Sequence, residues 1–178
     1  MPHRAGEIYL ADPLWKFGPI VEDKIRISLF QRGNIADSTR MAFEGWSYGG
    51  YMTMWTVTHS QRFKAAVAGA PVTDWEDYDT HYTERYLGNP SANAAPYDRT
   101  SLIVDADRLG RPLMLVHGLA DDNVVAAHTL QFSSALLAAG KPHEVLPLSG
   151  VSHMTPQEVV AESLLLLQLE FLRRHLRA

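Results

Sequence analysis

The apolar positions of this chain are irregular at first and then settle into short runs separated by stretches of helical spacing. Met41-Ala42-Phe43 reads as a strand and Tyr48 to His59 as the helix that follows it. Ala65-Ala66-Val67-Ala68-Gly69-Ala70 is continuously apolar, too short for a helix, and ended by Pro71. Such a run predicts a strand buried on both faces, as in a parallel sheet. Leu113 to Val116, after Pro112, predicts another, and Glu144 to Leu148 a fourth. His128 to Ala139 predicts a helix, with Gly140 as its stop. Thr155-Pro156-Gln157-Glu158 has capping-box residues with proline at the first helical position. It predicts a last helix running to about Leu176, with arginines near its end where they suit the helix dipole.

The remaining segments are less regular. Met1 to Ile20 carries Gly6, Pro13, Gly18 and Pro19 and reads as irregular, with Glu7 to Leu10 a short extended piece. Val21 to Gln31 has apolar residues at Val21, Ile25, Ile27, Leu29 and Phe30, and is predicted helical, with Gly33 as the stop. Trp75, Tyr78, Tyr82 and Tyr86 recur every three or four residues, which is one face of a helix or of two short helices. Leu87 to Thr100 is rich in turn residues. Strand and helix alternate four times from the Met41 strand onward, so the fold class is α/β, a mainly parallel sheet flanked by helices. The division expected is an irregular segment over 1–20 and one domain over 21–178.

Composition narrows the partners. A chain of 178 residues, nearly half of them hydrophobic, can bury a real core. Acids and bases are mixed along it to a net charge of −4, with no basic stripe to hold nucleic acid. There is no cysteine, hence no disulfide and no thiolate metal site. His128 and His143 have no further ligands at metal spacing, so neither a metal nor another cofactor is expected. The start, Met1-Pro2-His3-Arg4, lacks an apolar signal segment, and the run Leu164 to Leu167 is too short to span a bilayer. No membrane partner and a cytoplasmic location are the expectation.

The chemistry gathers at the predicted strand ends. Gly45-Trp46-Ser47-Tyr48-Gly49-Gly50 lies between the Met41 strand and the Tyr48 helix. Strand, sharp turn with serine, and helix together make a nucleophile elbow. Side chains at Gly45 and Gly49 would crowd such a turn, and the serine takes a strained backbone that lifts its hydroxyl from the sheet. The helix N-terminus adds partial positive charge beside it. The Leu113 strand ends in His117-Gly118-Leu119-Ala120-Asp121-Asp122-Asn123, and the Glu144 strand in Ser149-Gly150-Val151-Ser152-His153. Ligands of parallel α/β sheets lie beyond these carboxyl ends. Serine, aspartate, histidine is the chain order of the α/β-hydrolase triad. A serine hydroxyl needs a histidine to take its proton, and the histidine needs a carboxylate to hold its tautomer. Spacing leaves Asp121 and Asp122 both open as the acid, the other then facing a neighbouring helix end. His153 stands out by its glycine-containing loop, whereas His117 reads as structural.

At these residues a resemblance becomes clear. Gly45-Trp46-Ser47-Tyr48-Gly49-Gly50-Tyr51 resembles the nucleophile motif of the prolyl oligopeptidase family, in its dipeptidyl-peptidase IV branch. Ala70-Pro71-Val72-Thr73-Asp74-Trp75, Tyr82-Thr83-Glu84-Arg85-Tyr86 and His117 to Val124 are similar as well, so the likeness covers about Val21 to the C-terminus. It implies an α/β-hydrolase fold, truncated at its N-terminal side, and serine peptidase chemistry on peptide substrates through an acyl-enzyme. It assigns Ser47 as nucleophile, Asp121 as acid, His153 as base and the Tyr48 backbone N–H as an oxyanion donor. Asn123 would bind a substrate carbonyl, and Tyr48, Val72, Trp75, Tyr78, Tyr82 and Val124 would line a pocket for proline or alanine before the cut bond. An esterase with the same triad, or a non-catalytic remnant, is the rival reading. The family's N-terminal β-propeller, the upstream tyrosine that donates the second oxyanion bond and the early strands of the sheet have no counterpart here. The elbow strand would then lack a neighbour on one side unless Glu7 to Leu10 or another chain supplies one. A homodimer, or a partner carrying the N-terminal half, is therefore expected.

Overall fold

The computed structural model describes residues 39–176 and, before them, two strands of two residues each. These are β1 (Ile8–Tyr9) and β2 (Arg26–Ile27), which pair antiparallel. The extended piece expected at Glu7 to Leu10 thus contains β1. The helix expected over Val21 to Gln31 is corrected at Arg26 and Ile27, and its other residues lie outside the described ones. Ile25, Ile27 and Leu29 are spaced by two, which is the period of a strand.

Among the described residues the main sheet holds four parallel strands in the order β3 (Ala42–Trp46), β4 (Ala65–Gly69), β5 (Leu113–Gly118) and β6 (Glu144–Leu148). Helices α1 (Tyr48–His59), α4 (Ala127–Ala138) and α5 (Glu158–Leu176) connect or follow them. Between β4 and β5 come a 3-10 turn at Trp75–Asp77, α2 (Thr80–Leu87), α3 (Ala95–Thr100) and a second 3-10 stretch at Ile103–Arg108. The aromatic stripe is therefore split over two short helical pieces. Asp79 makes the break, because its side chain caps α2 by accepting from His81 and Tyr82 N–H. The turn-rich Leu87 to Thr100 segment hides α3, which has proline in its first turn.

The inner strands are closed on both faces, as their unbroken apolar runs require. Ala66, Ala68, Leu113 and Leu115 join a core with Met54 and Val57 of α1 and Phe132 and Leu136 of α4. Ala65, Val67, Met114 and Val116 point the other way, onto Leu164 and Phe171 of α5. This period-two division makes a three-layer sandwich. Pro147 sits in β6, the outer strand, where a missing N–H is tolerated.

One boundary differs from expectation. The last helix starts at Glu158, with its first backbone bond from Ala161 N–H to the Gln157 carbonyl. Neither bond of the expected Thr155–Glu158 capping box forms among the described residues. As expected, the elbow strand β3 pairs with β4 alone among the described residues; β1 pairs with β2 instead of supplying the second neighbour.

Candidate functional site

The turn after β3 places Ser47 at φ 59°, a left-handed backbone that a non-glycine residue holds only under strain. Its N–H bonds to the Gly69 carbonyl at 2.8 Å, tying the turn to the end of β4. The Ser47 hydroxyl does not cap α1. Crowding at the elbow is only partly as expected. A Cβ on Gly45 would run into the Gly49 carbonyl, but one on Gly49 would meet nothing within 4 Å. The second tight position is Gly50, whose Cβ would lie 2.7 Å from the Gly69 oxygen. The helix crosses β4 at Gly50, one residue further on than the motif alone suggests.

Asp121 and His153 meet at the far ends of β5 and β6. Asp121 Oδ2 accepts from His153 Nδ1 at 2.8 Å, and the carboxylate is fully buried. Asp121 Oδ1 accepts from the backbone N–H groups of Asn123 and Val124 at 3.0 and 2.9 Å. These bonds fix the carboxylate in rotation as well as position. Asp122 is not directed at a helix end. It lies at the surface and accepts from the Ser152 hydroxyl at 3.1 Å, a further side-chain link between the two loops. A Cβ on Gly118 would strike the carbonyls of Val151 and Ser152, so only glycine lets the loops approach this closely.

Trp46 joins the elbow to the histidine loop. Its Nε1–H donates to the His153 carbonyl at 2.7 Å, across 107 residues of sequence. Its ring covers Gly69, where any side chain would collide with it. The sequence marks this residue as part of the nucleophile motif but gives no sign of its bond to the histidine loop. Among the described residues Ser47 forms no hydrogen bond to the His153 ring. Tyr48 is the first residue of α1, at the end of the helix where the backbone dipole is positive.

The aromatic residues form one cluster around Trp75. Its ring lies 5.3 Å from Tyr51, 5.9 Å from Tyr48, 5.7 Å from Tyr78 and 6.0 Å from Tyr82, edge-on, tilted or stacked as ring quadrupoles prefer. Trp75, Val72 and Val124 are sealed within the core. Tyr48, Tyr78 and Tyr82 are half-buried and offer the open ring surface. Burial raises the pKa of each of these phenols, which keeps them neutral. Tyr78 OH donates to Asn123 Oδ1 at 3.0 Å, orienting the Asn123 amide.

Three further histidines are built into the structure. His117 and His128 are buried, and desolvation lowers the pKa of both rings. His128 Nδ1 accepts from Thr73 N–H at 3.3 Å, and the Thr73 hydroxyl donates back to the His128 carbonyl at 2.9 Å. His143 bridges Ser133 and the Lys141 carbonyl. No helix among the described residues is long and apolar enough to cross a membrane.

Comparison with known proteins gives a consistent result. A profile of the prolyl oligopeptidase family matches residues 24–178. Dipeptidyl peptidase 8 of Homo sapiens is 41% identical over 138 residues, covering 74% of this chain and 15% of that protein. Probable dipeptidyl-aminopeptidase B of Aspergillus niger is 45% identical over 108 residues, covering 58% of this chain and 12% of the relative. The crystal structure of Porphyromonas gingivalis dipeptidyl peptidase 4 matches with a TM-score of 0.76 and 36% identity, over 79% of this chain and 20% of that one. A putative dipeptidyl aminopeptidase IV from Bacteroides ovatus matches with a TM-score of 0.74 at 32% identity. The chain thus spans about a fifth or less of the length of these relatives.

Proposed function

Because the chain belongs to the prolyl oligopeptidase family, we propose that it carries the chemistry of a serine peptidase, with Ser47 as nucleophile, His153 as base and Asp121 as the acid behind it. The observation that supports this most is the 2.8 Å bond from His153 Nδ1 to a fully buried Asp121 carboxylate, on a loop that Trp46 ties to the elbow. With Nδ1–H committed to Asp121, His153 Nε2 is left as the acceptor for the serine proton. Ser47 Oγ attacks the substrate carbonyl while its proton passes to Nε2. The proton then goes to the leaving amine, and the C–N bond breaks to leave an acyl-enzyme. Water, deprotonated by the same nitrogen, releases the acid and restores the serine. The Tyr48 N–H at the start of α1 is the oxyanion donor in this scheme.

The substrate reading follows from the aromatic cluster. Tyr48, Tyr78 and Tyr82 over the Trp75 floor offer a neutral, apolar, flat-walled surface that suits proline or alanine before the cut bond. A lysine or glutamate there would lose its hydration without a partner, at a cost of several kcal/mol. Asn123, oriented by Tyr78, would donate to a substrate carbonyl. Titration with a fluorophosphonate tests the chemistry. Wild type is expected to label at Ser47 and Ser47→Ala not at all, with unchanged circular dichroism. A wild-type chain that folds but never labels would leave a binding role only. Comparison of peptide amides carrying proline, alanine or lysine before the cut bond tests the pocket, and equal rates for lysine and proline would remove it.

A further inference from the structure

His117 lies directly behind the Asp121–His153 pair, and its surroundings fix which nitrogen carries the proton. Nε2 is 2.7 Å from the Val124 carbonyl oxygen, an atom that can only accept. Nε2 must therefore donate. Nδ1 is 2.7 Å from the Thr129 hydroxyl, which can donate to it from the first turn of α4. The ring is closed to solvent, and a buried imidazole resists the second proton. Both nitrogens are satisfied by a neutral ring with its proton on Nε2.

The state of this ring matters because Asp121 Oδ2 lies 3.5 Å from the same Nε2. A cationic His117 would place a full charge beside the carboxylate and compete with His153 for it. The neutral ring directs its N–H at Val124 and leaves the Asp121 charge to His153. The grip on Val124 also closes the turn whose N–H groups bind Asp121 Oδ1. The next residue back on α4, His128, holds Thr73 in the segment that leads to Trp75. One helical turn therefore braces the acid loop against the segment that carries the aromatic cluster.

We propose that His117 is a positioning residue for hydrolysis: held by Thr129 with its proton on Nε2, it clamps the Val124 carbonyl and keeps the Asp121 carboxylate on His153. This rests on the peptidase reading above. The test uses the full chain and two substitutions at Thr129, which leave the ring itself in place. Nitrogen-15 spectra of the imidazoles are expected to show pyrrole-type Nε2 and pyridine-type Nδ1 at His117 near neutral pH. Thr129→Val keeps the shape and removes the hydroxyl. It is expected to lower the maximal rate constant of fluorophosphonate labelling about tenfold, the scale of one lost buried hydrogen bond, with the half-saturating concentration unchanged. The low-field His153 Nδ1–H resonance should weaken in the same variant. Thr129→Ser should restore both to within about twofold, since it keeps the donor. A proton on Nδ1 of His117 overturns the proposal. So does a Thr129→Val protein with wild-type labelling and an unchanged His153 resonance. If wild type itself never labels, the peptidase reading fails on its own, and the His117 nitrogen signals and the His153 resonance in the two variants still decide the clamp.

Discussion

Asp121→Asn tests the site most sharply, because the structure dictates how the new amide must sit. Asp121 Oδ1 accepts two backbone N–H groups, from Asn123 and Val124. An asparagine can keep both bonds only by placing its carbonyl oxygen there. Its NH2 group must then occupy the Oδ2 position, 2.8 Å from His153 Nδ1. Two donors would face each other across that distance. His153 relieves the clash by moving its proton to Nε2, where it can no longer accept from Ser47. The reverse orientation, carbonyl toward His153, would set the NH2 against two backbone donors and forfeit two buried hydrogen bonds, about 1–3 kcal/mol each. The wrong histidine tautomer in a serine–histidine–aspartate site costs on the order of 10⁴ in turnover. The labelling rate of Asp121→Asn should therefore fall by about that factor, with circular dichroism unchanged. Asp122→Asn keeps an acceptor for Ser152 and should label within about threefold of wild type. The rate is read by intact-protein mass spectrometry over time. An Asp121→Asn protein that labels within tenfold of wild type, or a reversed ranking of the two variants, would refute the reasoning.

Three other outcomes are expected. Trp46→Phe keeps a ring over Gly69 but removes the donor to the His153 carbonyl, so labelling should slow about tenfold with little change in the urea midpoint; an unchanged rate would mean that the indole only packs. His117 and His128 both have pKa values lowered by burial below the ordinary 6.5, so the unfolded chain binds more protons than the folded one under mild acid. Their contribution to stability is whole above about pH 6.5 and is lost as pH falls below it. The melting temperature should drop between pH 7 and 5, and a rise over that range would contradict the buried neutral rings. The chain should also self-associate, because β3 has one unpaired edge among the described residues and α5 exposes Leu165 and Leu166 at 56% and 60%. A sizing column should show a species larger than 19.9 kDa, and a clean monomer at micromolar concentration would overturn this.

The sequence alone determined the parallel α/β framework, because that information is local. Runs such as Ala65 to Gly69 announce burial on both faces, and Gly140, in a left-handed conformation at φ 67°, ends α4 as expected. The elbow was legible too, since strand, serine and helix adjoin in sequence. Reading failed where local signals compete. Ile25, Ile27 and Leu29 fit two periods, and pairing with β1 at Arg26–Ile27 chose the strand. A capping box at Thr155 was permitted but not formed. Gly49 and Gly50 are equivalent in sequence, and only the crossing of α1 over β4 made the second one tight. Spacing could not separate Asp121 from Asp122, because the difference is one of direction. The register of β5 against β6 turns one toward His153 across 32 residues and the other toward Ser152 at the surface. Trp46, His117 and Thr129 had no sequence signal as supports of the site. Their hydrogen bonds exist only once separate strands and α4 are brought side by side, and a bond of 2.7 Å between residues 107 apart has no local pattern to betray it.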